Sequence, residues 1–159
     1  MDKATALKKL QRYCAYQDRC HREVRSKLLR LGVRGATLEE VMVELIEEGF
    51  LDEERFARSF ARGKWRFKGW GRRRIVRELQ ARDLSEYCIR KALEEIDEAE
   101  YLPGLVRLLE RKAGAIGNCP LPELRKRLRN FALRRGYEPE VISQALEQAQ
   151  LPPSAGSGG

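Results

Sequence analysis

RRIVRELQARD, residues 73–83, decides the fold. Ile75 and Leu79 stand four residues apart, with Asp83 four further on, so the three fall on one stripe of an α-helix. The pattern occurs twice more. REVRSKLLRLG, residues 22–32, carries Val24, Leu28 and Gly32, and KRLRNFALRRG, residues 126–136, carries Leu128, Ala132 and Gly136. The register runs on past each anchor without a gap. Six residues on stand Leu38, Ile89 and Ile142, and ten on stand Met42, Leu93 and Leu146, which places the second set on a following helix. Glycine at two of the three anchors suits a helix C-cap, where positive φ is needed, and aspartate tolerates that conformation better than most residues.

Each repeat has a further helix ahead of this pair, marked by Ala6, Leu10 and Tyr13, by Phe56 and Phe60, and by Leu105 and Leu109. The expectation is an all-α protein of three tandem three-helix repeats, residues 1–51, 52–97 and 98–149, forming an elongated, curved array. Residues 150–159, QLPPSAGSGG, are read as a flexible tail. Expected N-caps are Asp18 or Cys20, Thr37 (in a capping box with Glu40), Asp52 and Ser85. Pro120 and Pro122 mark the start of the eighth helix, and Pro139 fits the first turn of the ninth.

Of the 159 residues, 42% are apolar and 35% charged, enough for a core beneath a heavily solvated surface. Lys and Arg number 32 against 24 acids, for a net charge of +8, which favours anionic partners. Cys14, Cys20, Cys88 and Cys119 form no C-x-x-C pair, and His21 is the one histidine, so no metal site and no cofactor is expected, and the thiols suit a reducing compartment. The start, MDKATALKKL, lacks the apolar core of a signal peptide, and no apolar run would span a bilayer. A cytoplasmic protein that leaves membranes alone is expected.

The charge concentrates in the second repeat. Eleven cations lie between Arg55 and Arg82 with Glu78 as the one acid among them. Arg55, Arg58, Arg62, Lys64, Arg66, Lys68, Arg72, Arg73, Arg74 and Arg77, with Trp70, are the candidate binding residues. Arg72, Arg73 and Arg74 fall near a helix start, whose free amides would join the guanidinium groups in meeting phosphate. Trp65 and Phe67 are read as core; Trp70, between two glycines, is left open between packing and base stacking. Arg22, Arg25 and Arg30 in the first repeat, and Arg125 and Arg129 in the third, make a secondary basic surface. There is no Walker loop, G-x-S-x-G or H-E-x-x-H, and the carboxylates around residues 39–54 follow the solvent face of one helix, so no catalytic residue and no enzyme is expected.

The stretch LIEEGFLDEERFARSFARGKWRFKGWGRRRIVRELQARDLSEYCIRKALEEID, residues 45–97, resembles the central repeat of the RecX family, the bacterial regulators of RecA recombinase. EEGFLDEERFA (47–57) and GWGRRRIVREL (69–79) carry most of the likeness. REVRSKLLRLG (22–32) and RRGYEPEVI (134–142) extend it to residues 4–148. The resemblance implies three three-helix repeats, binding along the groove of the RecA–DNA filament, and inhibition of ATP hydrolysis and strand exchange in homologous recombination, DNA repair and the SOS response. RecA and single- and double-stranded DNA, bound weakly and without sequence preference, are the implied partners of a monomer. The alternative open to the residues alone is an autonomous, sequence-nonspecific nucleic-acid-binding helical protein. Two departures from the family stand out: Cys20 where serine or threonine is common, and the connector AGAIGNCPLPE, residues 113–123.

Overall fold

The structure, a computed structural model, describes residues 1–152; the expected tail lies outside the described residues from 153 on. Nine helices form among the described residues: α1 (Lys3–Tyr16), α2 (His21–Arg30), α3 (Gly35–Glu47), α4 (Glu53–Lys68), α5 (Arg72–Ala81), α6 (Glu86–Leu93), α7 (Glu98–Ile116), α8 (Leu121–Arg135) and α9 (Pro139–Gln148).

The three anchors end α2, α5 and α8 in the same way. Gly32, Asp83 and Gly136 all take positive φ, at 81°, 61° and 96°. The next residue closes each end: Val33 N–H donates to Leu28 O (2.9 Å), Leu84 N–H to Leu79 O (3.2 Å) and Tyr137 N–H to Ala132 O (3.1 Å). This is the Schellman arrangement, and the residue that closes it is apolar and buried each time. The stripe residues Val24, Leu28, Ile75, Leu79, Leu128 and Ala132 are all wholly buried. The repeat is therefore one local solution to helix termination, used three times.

The backbone gathers into two compact units, one of Met1–Phe60 with Leu79–Leu93, the other of Ala61–Glu78 with the chain from Glu94 on. In the first unit α1, α2 and α3 pack on one another around Leu10, Val24, Leu28, Val41 and Leu45. In the second, α7 packs against α8 and α9, burying Leu105, Leu109, Leu124, Leu128 and Ile142. All four cysteines are buried and free.

Asp52 and Ser85 cap as expected, accepting from Arg55 N–H (3.0 Å) and Cys88 N–H (3.1 Å). Cys20 precedes α2 without capping a backbone amide; its thiol instead donates to Glu23 Oε1 at 3.3 Å. The capping box at Thr37 does not form. Gly35, at φ 59°, opens α3 two residues earlier, so Thr37 lies inside the helix. The core placement of Phe67 is also corrected: it sits in the last turn of α4, 85% exposed, while Trp65 is half-buried.

Candidate nucleic-acid interface

The expected binding residues sort into two groups by what they touch. Arg55 belongs to the fold of the first unit. Its guanidinium donates to Asp18 Oδ1 (2.9 Å), Gly49 O (3.0 Å) and Phe50 O (3.2 Å), clamping the start of α4 to the preceding turn. Arg58 pairs with Glu54 at 3.3 Å, and Arg62, in the second unit, pairs with Glu95 at 3.2 Å. Lys64 and Arg74 lie over the Trp70 ring, 4.9 and 4.1 Å from its centroid. Trp70 is half-buried, with these two cations over its ring.

Arg72 is the most committed. It contacts Glu98 and lies 3.0 Å from Glu138 Oε2, with its guanidinium 3.8 Å from the Tyr101 centroid. The Tyr101 hydroxyl donates to Glu138 and accepts from the Arg72 amide at 2.9 Å. Two more amides at this helix start are spent on backbone: Gly71 N–H on Arg135 O (2.8 Å) and Arg73 N–H on Gly136 O (2.9 Å). The expectation of free amides meeting phosphate here is therefore corrected. The Gly71 and Arg73 amides hold the turn between α8 and α9, the Arg72 amide holds Tyr101 on α7, and Gly71 allows the close approach: a Cβ on it would stand 2.6 Å from the Gly136 carbonyl.

Arg66, Lys68, Arg73 and Arg77 form the other group. All are exposed, and their side chains have no hydrogen bond or ion pair among the described residues. Beside Arg66 and Lys68, α7 presents Arg107 and Arg111 one turn apart, both exposed. The residues alone did not single these two out, although their i, i+4 spacing was there to be read. Together with Arg135 they line a groove of about 490 Å³ in the second unit, edged by Phe67.

The secondary surface is more occupied. In the first unit Arg22 donates to Ala81 O, and Arg25 holds Glu39 with two bonds of 2.6 and 3.1 Å. Arg30 is exposed. In the second unit Arg125 is exposed, and Arg129 reaches Ser143 Oγ at 3.4 Å. Among the described residues no three His, Cys, Asp or Glu side chains group to hold a metal ion, and no helix is long and apolar enough to cross a membrane.

The tyrosines beneath Arg72 give the second unit an alkaline limit. Burial pushes the Tyr137 hydroxyl up to about 12, and burial followed by the Glu138 carboxylate pushes Tyr101 up as well. In the unfolded chain these groups ionise near pH 10, so that state sheds its protons first. The stabilising contribution of Tyr137 is complete below about pH 10 and is lost as pH rises through about 12. Thermal melting followed from neutral to alkaline pH is expected to fall over that window, in step with tyrosinate absorbance. A melting temperature that does not change across it would mean the hydroxyls reach solvent in the folded state.

Comparison with known proteins agrees with this architecture. The family model for the second three-helix domain of RecX matches residues 52–93, and that for the third three-helix domain matches residues 100–146. The crystal structure of RecX from Lactobacillus salivarius superposes with a TM-score of 0.82 over 92% of this chain and 96% of that one, at 19% identity, a likeness of fold. The class so defined is a helical protein assembled from three-helix domains. Regulatory protein RecX of Halorhodospira halophila is 34% identical over 140 residues, 87% of this chain and 84% of that protein. Regulatory protein RecX of Pelodictyon phaeoclathratiforme is 30% identical over 130 residues, 82% and 79% respectively. The chain belongs to the RecX family.

Proposed function

We propose that this protein regulates RecA recombinase by binding the RecA–DNA filament and lowering its ATP hydrolysis and strand exchange, with no catalysis of its own. Its membership in a family of regulatory proteins carries the reading. The physical support is the set of exposed cations on α4, α5 and α7, which suits a nucleoprotein surface rich in phosphate. The chain acts in the cytoplasm as a monomer of three repeats, residues 1–51, 52–97 and 98–149. DNA alone, single- or double-stranded, is a weak partner without sequence preference. Arg66, Lys68, Arg73 and Arg77 make the main contribution, and Arg55 and Arg72 hold the helices that present them.

The test is RecA turning over ATP on single-stranded DNA. Adding the protein is expected to lower the steady-state rate in a saturable way, and the protein alone should hydrolyse no ATP and cut no DNA. An unchanged rate at saturating protein, with the filament still assembled, would sink the regulatory reading. Strong DNA binding without any effect on RecA would favour the autonomous nucleic-acid-binding alternative.

A further inference from the structure

We infer that the groove between the end of α4 and the exposed side of α7 is a subsite for one unpaired nucleic-acid strand, with Phe67 as the platform on which a base stacks. The inference deepens the reading above by assigning a particular surface of the second unit to nucleic acid. Phe67 is 85% exposed, among the most exposed of the large apolar side chains, and so contributes little to the core. It is flanked in sequence by Arg66 and Lys68, both exposed. Arg107, Arg111 and Arg135 complete a lining of five cations against two acids, Asp97 and Glu100. Both acids are engaged: Asp97 caps α7 through Ala99 N–H at 3.0 Å, and Glu100 lies 3.3 Å from Arg107. Half-buried Trp65 and Leu108 give the groove an apolar part.

Geometry fixes the platform. Gly69 turns the chain just after Lys68 at φ 66°, and a Cβ there would stand 3.3 Å from both Arg135 Nη1 and Leu108 Cδ2. The Arg135 guanidinium donates to the Lys68 carbonyl, tying the end of α4 down. Phe67 thus projects from an anchored helix end. An exposed aromatic side chain that lines a groove of about 490 Å³ together with five cations matches how proteins hold single strands: phosphates meet the charges and bases meet the ring. A paired base keeps its faces inside the duplex stack and offers nothing to such a ring. An acidic peptide would satisfy the cations and leave the ring unused.

The experiment measures binding of the intact protein to fluorescent oligothymidylate at low salt, by anisotropy. Phe67→Ala is expected to weaken binding roughly 5- to 150-fold, the range for losing one base–aromatic stack, with the melting temperature unchanged. Phe67→Trp is expected to bind at least as tightly as the parent. Arg66 and Arg111 changed together to Gln should flatten the log–log salt slope by about 1.4, that is about 0.7 for each lost contact. Phe67→Ala binding like the parent would overturn the assignment. So would a duplex of equal length bound as tightly as the single strand, or polyglutamate displacing the strand as readily as unlabelled oligothymidylate. The RecA assay fails separately: inhibition of RecA without oligothymidylate binding would sink the groove and keep the regulator, and the converse would sink the regulator and keep the groove.

Discussion

Gly136→Ala is expected to destabilise the second unit by about 3–5 kcal/mol, while Gly32→Ala, at the same place in its own repeat, costs about 1–2 kcal/mol. Both glycines follow the last turn of a helix at positive φ, 96° and 81°, so both substitutions carry the strain of the left-handed conformation. They differ in what surrounds them. A Cβ on Gly32 meets nothing within 4 Å. One on Gly136 would stand 2.3 Å from Arg74 Cβ and 2.4 Å from the Arg74 nitrogen. Backbone cannot swing aside as a flexible side chain can, so α5 must move off the turn. That movement breaks the bonds from Gly71 N–H to Arg135 O and from Arg73 N–H to Gly136 O. Gly71→Ala attacks the same contact from the other side, with its Cβ 2.6 Å from three Gly136 and Tyr137 backbone atoms. Urea unfolding of the three variants is the measurement, with the midpoint shift read at unchanged slope. Equal midpoints for Gly32→Ala and Gly136→Ala would show that the close approach of the two turns contributes nothing.

That contrast also marks what a sequence can display. Helix identity and register were legible because they depend on spacings of four residues, and each spacing reports on a single helix. Val24–Leu28–Gly32, Ile75–Leu79–Asp83 and Leu128–Ala132–Gly136 needed no knowledge of anything beyond themselves. Even Asp83, the residue out of pattern, takes the positive φ that its glycine counterparts take. The difference between Gly32 and Gly136 was not legible, because it depends on whether a distant backbone comes to rest against the turn. The same limit applied to the basic segment. Arg72, Arg73 and Arg74 are equivalent in sequence, but the partners of Arg72 are Glu98 and Glu138, on later helices. Phe67 was misplaced for a related reason. Aromatic residues in a helix usually fill the core, but Phe67 falls on the exposed side of the last turn of α4.

Separating those three arginines is the second large effect. Arg72→Ala is expected to cost about 2–4 kcal/mol, because it strips a half-buried carboxylate of its counter-charge and removes a cation from the face of a buried ring. Glu138 keeps its bond from the Tyr101 hydroxyl, which moderates the loss, and Glu98 is exposed and contributes little. Arg73→Ala should stay within about 0.5 kcal/mol of the parent, since its side chain is exposed and has no partner among the described residues. The order reverses for nucleic acid. Arg73→Ala should flatten the salt slope of single-strand binding by about 0.7, whereas Arg72→Ala, compared at a temperature where it remains folded, should leave the slope alone. A triple change of Arg72, Arg73 and Arg74 would mix the two effects and is the wrong experiment. The decisive one is a double-mutant cycle of Arg72→Ala with Glu138→Gln, read by urea unfolding. A coupling of about 1–3 kcal/mol is expected for two charges in one hydrogen-bonded network. Coupling near zero, together with an Arg72→Ala variant as stable as the parent, would return Arg72 to the solvated cations and reopen it as a phosphate ligand.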